Sequence, residues 1–157
     1  MIKYIIIIVI ATGIVLSLIF GIEYSCQGKE VFPTYFGSPF IFKKTSLGSS
    51  MEFFYSVSGL IVNIIIWSIL ITWINRLALR LIQKSRLKFI FYSIYKTVVV
   101  LLLLFSILNI IIDSSLMGNG FQKGLNYWYI DLDKEAEDWE MNCDGKWILL
   151  KVNKLPA

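Results

Sequence analysis

The chain contains no histidine. Histidine is the commonest general base near neutral pH and the commonest metal ligand. A Ser-His-Asp or Cys-His site therefore cannot be assembled within this chain. Charge is scarce too: Asp, Glu, Lys and Arg make up 17% of 157 residues, against about 25% in an ordinary soluble domain. There are only two cysteines, Cys26 and Cys143, so no C-x-x-C redox pair exists. No recognisable catalytic motif is present, and the sequence alone assigns no activity.

What the chain has is apolar surface, with 57% hydrophobic residues. That exceeds what one small globular core can bury, and lipid is the alternative solvent. Three long apolar stretches stand out, at about 4–22, 53–74 and 89–112. Each reaches the roughly 20 residues a helix needs to cross the hydrocarbon core. Their β-branched residues favour strands in water, but in lipid every backbone amide must be satisfied within its own segment. The expected fold class is therefore membrane all-α: three transmembrane helices at 1–113, followed by a small β-containing tail at 114–157.

Five basic residues, Arg76, Arg80, Lys84, Arg86 and Lys88, lie between the second and third stretches. By the positive-inside rule they place segment 75–88 in the cytoplasm. The N-terminus is then inside, and loop 23–50 and the tail are outside. A basic cluster beside a span contacts anionic headgroups and needs no nucleic acid. A cleaved signal peptide is the rival reading of the first stretch. Its apolar run exceeds the usual h-region of about 7–15 residues, and Glu23 stands where a lipobox wants an aliphatic residue.

Within the spans, Gly13, Ser17 and Gly21 recur every four residues. Such a stripe serves close helix packing, here against the other two spans. Asn63 and Asn109 are expected to face the helix bundle. At 1.5 Å per residue they sit about 10 Å apart in depth, so separate partners are expected. Lys96 is read as snorkelling toward the inner interface beside Tyr92 and Tyr95.

Outside, Phe32, Tyr35, Phe36, Phe40 and Phe42 crowd loop 23–50, and Trp128 and Trp139 mark the tail. These aromatics form the candidate outer surface. Segments 126–132 and 146–152 read as strands of a hairpin. Between them lies an acidic run. Counted from Asp131, an EF-hand would need glycine and glutamate where Ala136 and Asn142 stand, so a solvated connection is preferred to a calcium site. No cofactor is expected. With both cysteines outside, a structural Cys26–Cys143 disulfide is expected.

The run Cys26-Gln27-Gly28-Lys29-Glu30-Val31-Phe32-Pro33-Thr34-Tyr35-Phe36-Gly37-Ser38-Pro39-Phe40, leading into Gly59-Leu60-Ile61-Val62-Asn63-Ile64-Ile65-Ile66-Trp67, resembles small bacterial membrane proteins with no assigned activity. The likeness covers the first half of the chain and implies a bacterial inner-membrane setting. The expected function is a non-enzymatic accessory or interaction subunit presenting an outer-face surface, with the bilayer and a protein partner or a second copy as its contacts. One alternative is an oligomeric channel component, with Asn63, Asn109 or Lys96 facing the pore. The other is a membrane enzyme using Glu52, Asp113 or tail carboxylates.

Overall fold

The computed structural model describes residues 2–27, 34–45, 53–84, 88–115, 140 and 142–149. Among these it has three helices and a five-stranded antiparallel sheet. The all-α reading is corrected by this sheet, which takes up much of what was read as an outer loop and part of two spans.

The first apolar stretch divides. Helix α1 covers Ile2–Ser17, 16 residues, or about 24 Å, short of the roughly 30 Å hydrocarbon core. It ends because Leu18 adopts a left-handed conformation with φ 52°, which breaks the helical repeat. Strand β1, Phe20–Gln27, begins two residues later. Its aromatic and β-branched residues suit a strand once neighbouring strands satisfy its amides.

Strands β2 (Thr34–Gly37), β3 (Ile41–Thr45) and β4 (Phe53–Tyr55) follow as an antiparallel meander. Strand β5, Asn142–Leu149, closes the order β4-β3-β2-β1-β5. Strand β5 pairs with β1 along its full length, from Phe20↔Leu149 to Gln27↔Asn142. Residues 126–132, the other strand of the hairpin expected with 146–152, lie outside the described residues.

A bulge interrupts the β2–β3 ladder, where Phe36 opposes Lys43 but Gly37 opposes Ile41. The extra residue, Phe42, is re-aimed as bulges allow. It is fully buried with Phe36 and Tyr55, while Lys43 keeps its alignment with both.

Helix α2 runs Val57–Lys84 and α3 runs Lys88–Ser115. Both are long and apolar enough to cross a membrane. The second stretch starts later than its composition suggests, because Phe53–Tyr55 belongs to β4. Ser56 caps α2: its Oγ accepts from the Gly59 amide at 3.3 Å, satisfying one of the first-turn donors. At the other end α2 continues through Arg76, Arg80 and Lys84, so most of the basic loop is helix.

The core joins helices to sheet. Val15, Leu16, Leu18, Phe36, Phe42 and Tyr55 form one buried cluster, with Leu60, Trp67 and Ile110 packed against it. A second cluster holds Tyr24, Cys26, Tyr35 and Ile41. Gly13 explains how close α1 and α3 come: a Cβ there would lie 2.2 Å from Ser106 Cβ. Gly59 does the same for α2 and β3, where a Cβ would meet the Ile41 carbonyl at 2.3 Å.

Candidate functional site

Three ionisable side chains meet where the sheet joins the C-terminal end of α3. Lys43 comes from β3, Tyr55 from β4 and Asp113 from the last turn of α3. Lys43 Nζ and Tyr55 Oη each donate to the same Asp113 oxygen at 2.6 Å. The Lys43 and Asp113 side chains are 7% and 8% exposed. Nζ also sits 4.1 Å from the Phe53 ring centroid, where a cation is attracted to the ring face. Burial pushes the Tyr55 hydroxyl well above the ordinary phenol value, and its hydrogen bond to the Asp113 carboxylate adds to this.

This arrangement closes on itself. The carboxylate neutralises the ammonium, and the phenol stays protonated as a donor. A buried charge is tolerated only when paired in this way. The cluster therefore clamps β3 and β4 to α3.

A second polar set seats the Ser38-Pro39-Phe40 turn, which contains a cis peptide bond, on α2. Asn63 Oδ1 accepts from the Phe40 amide at 3.0 Å, and Nδ2 donates to the Phe40 carbonyl at 2.7 Å. Trp67 Nε1 donates to the Ser38 carbonyl at 3.0 Å and Oγ at 3.1 Å. Ser38 Oγ in turn donates to the Phe20 carbonyl at 2.7 Å. Asn63 and Trp67 lie about 9 and 15 Å along α2 from Val57. Buried backbone outside regular helix or sheet must have its polar groups satisfied by protein, and these two side chains do so.

The expected site residues divide accordingly. Cys26 and Cys143 form a disulfide across β1 and β5, 117 residues apart in sequence, with S–S 2.04 Å. Gly13 packs on α3, and Ser17 donates to the Ile14 carbonyl of its own helix. Gly21 is corrected: it lies in β1, where a Cβ would meet the Gly37 carbonyl at 2.5 Å, so it is not a helix-packing residue. Asn63 serves the sheet turn rather than a helix. Asn109 donates to the Phe105 carbonyl within α3 and is half-buried. Lys96 sits 5.0 Å from the Tyr92 ring centroid.

As an outer surface the aromatics are corrected in part. Tyr35 and Phe36 are core residues, while Phe40 is half-buried in the turn on α2. Phe32, Trp128, Trp139, Glu52 and Arg86 lie outside the described residues, and Lys88 opens α3. Among the described residues of the sheet the most exposed aromatic is Trp147 of β5, 78% accessible, against 46% for Phe20 of β1. The sequence reading overlooked Trp147 as a surface residue and Lys43 as a partner of Asp113. Asp113 shared a helical face with Ser106, but nothing in the sequence linked that face to a strand seventy residues away.

Among the described residues, no three Asp, Glu or Cys side chains cluster in a way that could hold a metal ion. No protein-family model matches the chain, and neither a curated protein nor a solved structure matches it.

Proposed function

We propose that this chain is a membrane-anchored, non-enzymatic interaction subunit. Helices α2 and α3 form the anchor, with the basic end of α2 and the start of α3 facing the cytoplasm of a bacterial cell. The disulfide-closed sheet then lies on the outer side of the inner membrane and presents β5 to a protein partner. The positive-inside rule supports this orientation, since Arg76, Arg80 and Lys84 occupy the α2 end remote from the sheet. A disulfide fits an oxidising outer compartment.

The observation that carries the reading is β5 itself. Among the described residues it is an eight-residue edge strand, fixed to β1 by Cys143, with Trp147 exposed. Edge strands are ready templates for pairing, and tryptophan is enriched among residues that dominate binding energy. The polar clusters, by contrast, are spent on joining sheet to helices.

The test is site-specific photocrosslinking in native membranes, with a benzophenone side chain at Trp147 and, as a lipid-facing control, at Phe89, which is 84% exposed on α3. One discrete protein adduct at Trp147, absent at Phe89 and lost when both cysteines are replaced, is expected. Lipid adducts alone at Trp147 would overturn the proposal.

A further inference from the structure

One face of α2 carries a groove of about 520 Å³ open to the molecular surface. Its half-buried floor is Ile64, Ser68 and Thr72, and Ile8 of α1 closes one side. Ile69 and Trp73 stand beside it, 66% and 60% exposed. Arg76 lines its far end. The groove exists because Ser68 and Thr72 are short where isoleucines flank them. Ser68 Oγ is also the sole buried side-chain polar atom among the described residues with no hydrogen-bond partner.

Length and charge select the occupant. From Ile64 to Arg76 is twelve residues, or about 18 Å. Half the hydrocarbon thickness is about 15 Å, so the groove has the depth of one leaflet. Its lining is almost wholly apolar, which suits a hydrocarbon chain laid along α2. Arg76 begins the i, i+4, i+8 row continued by Arg80 and Lys84, and basic groups at a cytoplasmic helix end attract anionic headgroups.

We infer that this groove holds one acyl chain of an anionic phospholipid from the inner leaflet, with its phosphate on Arg76. The inference rests on α2 crossing the membrane, as proposed above. The lipid acts as a fitted wedge between α1 and α2 on a face that the sheet does not reach.

The full chain, reconstituted in nanodiscs of mixed phosphatidylglycerol and phosphatidylcholine, is released and weighed by native mass spectrometry. The wild type is expected to retain one phosphatidylglycerol. Arg76→Gln should lower that preference about fivefold, the loss of one interfacial basic group worth about 1 kcal/mol. Ser68→Leu, which fills the floor, should abolish retention of either lipid. Lys96→Gln, on α3 and away from the groove, should change nothing. Equal effects of Arg76→Gln and Lys96→Gln would mean a diffuse field and overturn the inference. A photoprobe at Ile69 that captures a second chain instead of lipid would also overturn it. Each variant is checked for an intact Cys26–Cys143 bond, and Arg76→Gln, at an exposed position, tests the inference even if Ser68→Leu misfolds. Carbonate extraction separates the two proposals: release of the chain from membranes sinks both, while a retained chain with no lipid preference sinks only this one.

Discussion

Replacing Asp113 by asparagine keeps the side-chain shape but removes the charge that holds β3 and β4 to α3. Lys43 and Tyr55 both donate to one Asp113 oxygen at 2.6 Å. After the change, an ammonium only 7% exposed is left without a counter-ion. Leaving one member of a buried pair unpaired costs about 3–5 kcal/mol. The triple variant Lys43→Met, Tyr55→Phe, Asp113→Leu has no buried charge and no orphaned hydroxyl. Apolar replacement of a whole buried pair is often neutral or stabilising, so its expected cost is below about 1 kcal/mol. Thermal unfolding in detergent micelles, followed by tryptophan fluorescence, distinguishes these outcomes. Asp113→Asn should lower the midpoint by on the order of 10 °C, and the triple variant should recover most of it. Two results would refute the reasoning: an Asp113→Asn protein within about 1 kcal/mol of wild type, or a triple variant as unstable as the single one.

Tyr55 gives a test in pH. Its hydroxyl is held protonated above the ordinary value, near which tyrosines in the unfolded chain ionise, at about pH 10. Above that pH the unfolded state binds fewer protons than the folded one, so stability falls as pH rises, while below it this contribution is fully present. Tyr55→Phe should therefore flatten the alkaline loss of stability in urea titrations between about pH 9 and 11; an unchanged slope would show that Tyr55 is not the group responsible. Gly13→Ala should cost about 1–3 kcal/mol by forcing α1 from α3. Ser106→Gly should not rescue it, because Ser106 Cα itself lies 2.3 Å from the added Cβ. Full recovery in that double variant, measured by the same unfolding assay, would show that only the Ser106 side chain stood in the way.

Much of the site could be read in the sequence only as separate parts. The two apolar helices were legible because length and composition alone set whether a segment can cross a membrane. The disulfide was legible because the chain has only two cysteines, an even count that favours pairing. The first span was misread because hydropathy measures burial, not backbone geometry. Phe20, Gly21 and Ile22 are as apolar as a helix needs, but Phe20 packs beside Trp67 from a strand, at a ring-centroid distance of 5.9 Å. The aromatic loop was misplaced for a related reason. Tyr35 and Phe36 point to different buried clusters, a pattern that becomes visible only when strand partners are known.

The sequence by itself determined that this chain has long apolar segments, two of which form helices long enough to cross a membrane, a basic cluster between those two, and no histidine chemistry. Those properties are sums over local composition, so no folding information is needed to obtain them. Only the tertiary structure decided what the polar residues inside the apolar regions do. Asn63 and Trp67 anchor a turn from 23 and 29 residues upstream, and Asp113 pairs with a lysine 70 residues away. Such pairings depend on the register of a sheet and on a single bulge at Phe42, which no local pattern in the chain encodes.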